Sequence, residues 1–145
     1  MACRSLHATL CFLGARPEPD MPEIAALVER VTGDAHVAVE LAGALWLPPR
    51  RPRVLAVRLG DAHGAVLELH AALVEALVAG GFYAPESRAL LPHVTVARVR
   101  RGARVHTSDP LAPAPRTGFE AGPVTLYRSW PQAGGARYEA IRAEP

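Results

Sequence analysis

Leu90-Leu91-Pro92-His93-Val94-Thr95-Val96-Ala97-Arg98-Val99 is an apolar run in which His93 and Thr95 stand two residues apart between valines. Side chains i and i+2 of a strand leave on one face, about 6.6 to 6.8 Å apart along its axis. An imidazole and a hydroxyl therefore share a face, and Val94 and Val96 anchor the other. Near the N-terminus, Leu6-His7-Ala8-Thr9-Leu10-Cys11-Phe12-Leu13-Gly14 repeats the pattern: His7 and Thr9 against Leu6, Ala8 and Leu10. With six His and six Thr in 145 residues, chance gives His-x-Thr about 0.25 times, and two copies about one time in thirty or forty.

Between and beyond the motifs the chain alternates strands and helices. Residues 6–13 read as a strand, and Asp20 as the N-cap of a helix through Ile24, Leu27, Val28 and Val31 that stops near Gly33. Residues 37–47 and 54–59 read as strands joined by a Pro-rich turn. Val66, Leu69, His70, Leu73, Val74 and Leu77 recur at helical spacing before Gly80-Gly81. Strands follow at 90–99, 124–129 and 138–143, with a loop rich in Pro and Gly after the first. The motif strands thus head two related halves of one domain, residues 1–145. A chain of this length buries roughly 68 to 70 percent of its unfolded surface without staples.

Composition excludes several classes. All 16 basic residues are Arg, yet the formal net charge is only +2, which is no general polyanion-binding signature. Locally, Arg50, Arg51 and Arg53 cluster before one apolar run, and Arg98, Arg100, Arg101 and Arg104 after another. No signal-peptide or membrane-spanning run is present, so a cytoplasmic protein with no membrane partner is expected. Cys3 and Cys11 lack the spacing of a zinc or redox site and read as reduced structural thiols.

The paired motifs suit one kind of chemistry. Opening a cyclic phosphodiester with water needs a base on the attacking oxygen and an acid on the leaving oxygen, on opposite sides of phosphorus. Two histidines on facing strands meet that need, and two threonine hydroxyls can donate to the non-bridging oxygens where charge grows. No metal or other cofactor is called for: no Asp or Glu lies within five positions of His7 or His93, and no metal-ligand motif occurs.

At these residues the chain resembles the 2H phosphoesterase superfamily, and within it the bacterial RNA 2',3'-cyclic phosphodiesterases, or 2'-5' RNA ligases. The likeness extends to Pro49-Arg50-Arg51-Pro52-Arg53-Val54-Leu55, Leu126-Tyr127-Arg128-Ser129 and Gly134-Gly135-Ala136-Arg137-Tyr138-Glu139. It implies a bilobal α+β fold, with antiparallel sheets flanking a central groove and two main helices outside. It further implies hydrolysis of an RNA terminal 2',3'-cyclic phosphate to a 2'-phosphate, which with the metal-free chemistry above makes RNA ends, tRNA fragments among them, the expected substrates of an expected monomer. By the same resemblance His7 is the general acid, His93 the general base, Thr9 and Thr95 bind phosphate, and Arg98 contacts substrate. Strict alternation from His93 puts Arg98 on the wrong face, so this last role requires twist, a bulge or a strand end. The family's usual first strand and helix have no counterpart before Leu6. The alternatives are the same chemistry on a small cyclic nucleotide or metabolite, and a truncated, inactive RNA-binding relic.

Trp46, Phe82, Tyr83 and Trp130 are candidates for stacking on a base, and for each of them taken alone packing is the better reading. Tyr83 stands a little above the other three as a base-stacking candidate, because it precedes the second motif in a Gly-containing loop. His63 and His70 lie seven residues apart, about 10.5 Å along a helix, too far to share one ion. His36 and His106 carry no assigned role.

Overall fold

The computed structural model describes residues 6–100, 102–107, 111–113, 115–132 and 135–142. Helix α1 spans Met21–Thr32, with Pro22 in its first turn and Ile24, Leu27 and Val28 buried along one stripe. Asp20 precedes it as expected, but its side chain makes no capping bond; a 3-10 turn, Glu18–Asp20, leads the chain in. Helix α2 spans Ala65–Ala79. His63 lies in the turn before α2, outside the helical face assigned to it from the sequence.

The start of α2 is built by a residue upstream of the helix. Gly64 at the N-cap has φ 74°, a left-handed conformation that costs glycine nothing. The turn it allows brings Asp61 Oδ2 back to accept hydrogen bonds from the amides of Val66 at 2.9 Å and Leu67 at 3.2 Å. Two otherwise orphaned donors are thereby satisfied. Asp61→Ala is expected to lower unfolding free energy by about 1 to 2 kcal/mol in a denaturant titration; an unchanged midpoint would mean that water serves those amides equally well.

Four strands form an antiparallel sheet in the order β3-β2-β1-β4: β1 Val37–Leu47, β2 Val54–Gly60, β3 His93–Arg98 and β4 Gly118–Ala121. Strands β5, Leu126–Gln132, and β6, Gly135–Ile141, make a separate hairpin. Strand β4 was not foreseen, because its four residues are too few to show alternation; it pairs with residues 37–40 of β1. Strand β3 is shorter than expected, since Pro92 has no amide to give the ladder. Strand β5 instead runs past its expected end, through Pro131, which a two-stranded sheet tolerates on its free edge. The expected last strand begins three residues early, at Gly135, and its expected end, Ala143, lies outside the described residues.

Two cores result. Ile24, Leu27 and Val28 of α1 meet Leu73, Leu77 and Phe82 in one. Val39, Leu59 and Val66 form the other, between the four-stranded sheet and the start of α2. Helix α2 contributes to both, and Leu10 packs against both. The architecture is α+β with two antiparallel sheets and two helices. Among the described residues no helix is long and apolar enough to cross a membrane.

Candidate active site

The first motif does not form the strand expected over residues 6–13. It makes one isolated antiparallel bridge, Ala8 opposite Val94, on the open edge of β3. That bridge fixes how the two motifs meet. In its register His7 faces Thr95 and Thr9 faces His93, and opposite residues of a ladder point to the same side. Ala8 and Val94 turn inward against the core of Val39, Leu59 and Val66. The imidazoles and hydroxyls are thus gathered on the other face. His7 and His93 are diagonal neighbours in this arrangement, roughly 7 to 8 Å apart at the backbone. The motifs therefore lie side by side on adjacent segments of one sheet, whereas the sequence reading had them facing each other.

Each ring has a neighbour that sets its orientation. His93 Nδ1 lies 2.7 Å from the carbonyl oxygen of Leu91. A carbonyl can only accept, so Nδ1 carries a proton and donates it, and in the neutral ring Nε2 holds the lone pair. The His7 ring meets the Tyr138 ring edge to face, with centroids 4.5 Å apart. Residues 6–10 therefore join the hairpin carrying Tyr138 to the sheet carrying His93.

A family model described as the 2'-5' RNA ligase superfamily matches residues 1–129. The chain belongs to the 2'-5' RNA ligase superfamily. A curated relative from Aeropyrum pernix, named RNA 2',3'-cyclic phosphodiesterase, is 35% identical over 101 residues, covering 69% of this chain and 56% of the relative. The chain thus spans little more than half of that relative's length. Among solved structures, a protein of Thermus thermophilus superposes with a TM-score of 0.71 at 27% identity, over 94% of this chain and 75% of that one. E. coli LigT, crystallised with 3'-AMP, superposes with a TM-score of 0.67 at 23% identity, over 97% of this chain and 76% of its own; that likeness shows the fold. The bilobal 2H phosphoesterase architecture expected from the sequence is the one observed.

In this superfamily member the position of Arg98 is settled by a bulge. Ala56 pairs with Thr95, but Leu55 pairs with Ala97 and Val54 with Arg98. Strand β3 advances two residues where β2 advances one, so Val96 is the extra residue. Ala56 and Val54 share a face, and so do their partners. The bulge therefore returns Arg98 to the side of His93 and Thr95, against the strict alternation read from the sequence. The same register sets exposed Arg58 opposite His93, on that face. Arg58 was missed, because only the pairing of β2 with β3 tells which alternate set of β2 is shared. Tyr138 was missed as a site residue for the same reason: its contact with His7 spans almost the whole chain.

The Arg clusters at the ends of β2 and β3 are also brought together, since the Val99 amide donates to the Arg53 carbonyl at 2.8 Å. Arg101 lies outside the described residues. Arg16 ties the segment that follows the first motif to the chain just past the end of α2: Nε donates to the Leu13 carbonyl at 3.2 Å, and Nη2 donates to the Phe82 carbonyl. Leu10 and Leu13 pack against the helical core.

Tyr83 is half-buried and packs against that helical core. Burial first, and then Cys11 and Glu86 nearby, hold its phenol above the ordinary range. Those contacts join none of the four motif side chains. Phe82 is buried in the core, and the Trp46 indole nitrogen is buried without a partner among the described residues. Burial, with a smaller push from Glu86, raises the Cys11 thiol to about 11, which keeps it protonated and unreactive at neutral pH. Cys3 lies outside the described residues.

Proposed function

We propose that this chain hydrolyses 2',3'-cyclic phosphates at RNA ends to 2'-phosphates, using His7 and His93 as an acid and base pair. The observation that carries the reading is the bridge between Ala8 and Val94, which assembles two imidazoles and two hydroxyls on one face. The His93 hydrogen bond to Leu91 supports giving it the role of base, because its Nε2 lone pair is the one left for a water proton. Water attacks phosphorus as Nε2 of His93 takes its proton. The P–O3' bond breaks on the opposite side, and His7, protonated beforehand, gives its proton to O3'. Exchange with solvent then resets both rings. The Thr9 and Thr95 hydroxyls donate to the non-bridging oxygens, and Arg98 and Arg58 add positive charge on the same face. The name of the Aeropyrum pernix relative agrees with this chemistry.

Both proton transfers belong to imidazoles, so the scheme needs no metal and no cofactor. We take RNA ends, cleaved tRNA among them, as the substrates, because the arginine clusters of β2 and β3 meet at one end of the sheet and suit a polyanion. The chain acts as one unit and as a monomer in this reading. The test is turnover of an RNA oligomer ending in a 2',3'-cyclic phosphate, with and without excess chelator. An unchanged rate and a 2'-phosphate product are expected. A rate lost in chelator and restored by a divalent ion would contradict the mechanism. Turnover of cyclic mononucleotides alone would contradict the choice of substrate, and RNA binding without turnover would mark a relic.

A further inference from the structure

The motif face carries opposite charge at its two ends. Beyond Thr95 it runs to Arg98, where the turn between β1 and β2 meets the segment that follows β3. The Val99 amide donates to the Arg53 carbonyl at 2.8 Å, and the Arg53 amide donates to the Leu47 carbonyl at 2.9 Å. A second turn, closed by the Ala103 amide on the Arg100 carbonyl at 3.0 Å, precedes Arg104. Arg50, Arg51, Arg53, Arg98, Arg100 and Arg104 are all exposed. Among the described residues none of the six is in an ion pair, whereas Arg88 and Arg128 are held by Glu86 and Glu18. At the other end the sign reverses. Gly60 stands two residues beyond Arg58 on the same side of β2, and Glu40 pairs with it. Ala38, two residues before Glu40, pairs with Glu120, so both carboxylates share the motif face. The Glu40 side chain lies over Gly60, where an added Cβ would come within 2.8 Å of its Cγ. Glu40 and Glu120 are exposed and flank a trough lined by Gly60 and Gly118.

A polyanion on this face is drawn toward Arg98 and turned away from Glu40. We propose that the nucleotides 5' of the cyclic end leave the motif face past Arg98, and that Arg50, Arg51, Arg100 and Arg104 hold their backbone phosphates. The inference rests on the phosphoesterase reading above and adds to it where the body of the RNA lies. Two residues of β2 separate Ala56, opposite Thr95, from Val54, opposite Arg98, which is roughly 7 Å along the ladder. The turns lie farther on, so a mononucleotide held by the motifs falls short of them and a longer strand does not. Contacts to phosphate carry no sequence information. Binding through the patch therefore grows with the length of the strand and weakens with salt, whatever the bases.

The test compares kcat/KM for a nucleoside 2',3'-cyclic phosphate and for an RNA octamer of mixed sequence with the same end, each over a range of salt. Counterion release gives a log–log slope of about −0.7 per phosphate contacted on a single strand. Wild type should favour the octamer at low salt, with a slope of about −2 or steeper, and should show a much shallower slope for the mononucleotide. Arg50→Gln/Arg51→Gln and Arg100→Gln/Arg104→Gln should each bring the octamer slope toward zero by about 1 to 1.4 and lose about 10-fold of the preference at low salt. Both should turn over the mononucleotide as wild type does. Arg30→Gln/Arg88→Gln removes as much charge away from the patch and should keep both wild-type slopes. An octamer slope that stays at the wild-type value in both patch variants, or that falls as far in the control, overturns the path while leaving the hydrolysis standing. Equal turnover of octamer and mononucleotide by wild type at low salt overturns the path in the same way. A wild-type protein that turns over neither substrate overturns both readings.

Discussion

Replacing His93 by Ala is expected to lower turnover of a cyclic-phosphate RNA end by about 10² to 10⁴, and replacing His7 to do the same. Both rings are half-buried on the motif face, and the chain packs its cores elsewhere, so the folded state should survive either change. The informative variant is the double one. One displacement needs both proton transfers in the same transition state, so losing the second histidine removes a group already left without its counterpart. The double variant should fall only slightly below the worse single one, not by the product of the two losses. The wild-type rate should be bell-shaped in pH, because one ring must be neutral while the other is charged. Each single variant should lose one limb of the bell. Near-parental turnover by a folded His7→Ala or His93→Ala would show that the motifs do not form one site.

The threonines should respond differently. Thr9→Val and Thr95→Val keep the shape of the side chain and remove only the donor to the non-bridging oxygens. Losses of about 1.5 to 3 kcal/mol, or roughly 10- to 150-fold in rate, are expected. Thr95 is half-buried and Thr9 is exposed, so water can replace the Thr9 hydroxyl more readily and the Thr95 variant should suffer more. The bell in pH should keep both limbs, since both imidazoles remain. A threonine variant that loses one limb would place a hydroxyl on the proton path and contradict the division of labour.

How much of this was legible beforehand depends on the range of the signal. Helix α2 could be read from Val66, Leu73 and Leu77, and α1 from Ile24, Leu27 and Val28, because helical spacing is local and these residues are buried together. The face shared by His93 and Thr95 was legible for the same reason, since both stand in β3. What alternation could not supply was pairing. A single bridge sufficed for the first motif, so the ladder expected over residues 6–13 did not form. Of the three ways left open for Arg98 to reach the face of His93, namely twist, a bulge or a strand end, the bulge at Val96 is the one found, and one extra residue in a strand leaves no mark in its own hydropathy. Tyr138 and Arg58 reach the motif face only through contacts made by the folded chain. Tyr83 drew notice by its nearness in sequence to His93, yet it packs on the helical core.

The central claim is that two motifs, remote in sequence, hold one phosphate. The direct measurement is a nuclear magnetic resonance titration of the protein carrying ¹⁵N-labelled histidine with uridine 2'-monophosphate, following all six rings. The ring signals of His7 and His93 should move together along one saturation curve, while those of His36, His63, His70 and His106 stay in place. Before ligand is added, neutral His93 should show its proton on Nδ1, as the bond to Leu91 requires. Movement of only one motif histidine, or of both with different saturation constants, would mean two separate places and no shared site.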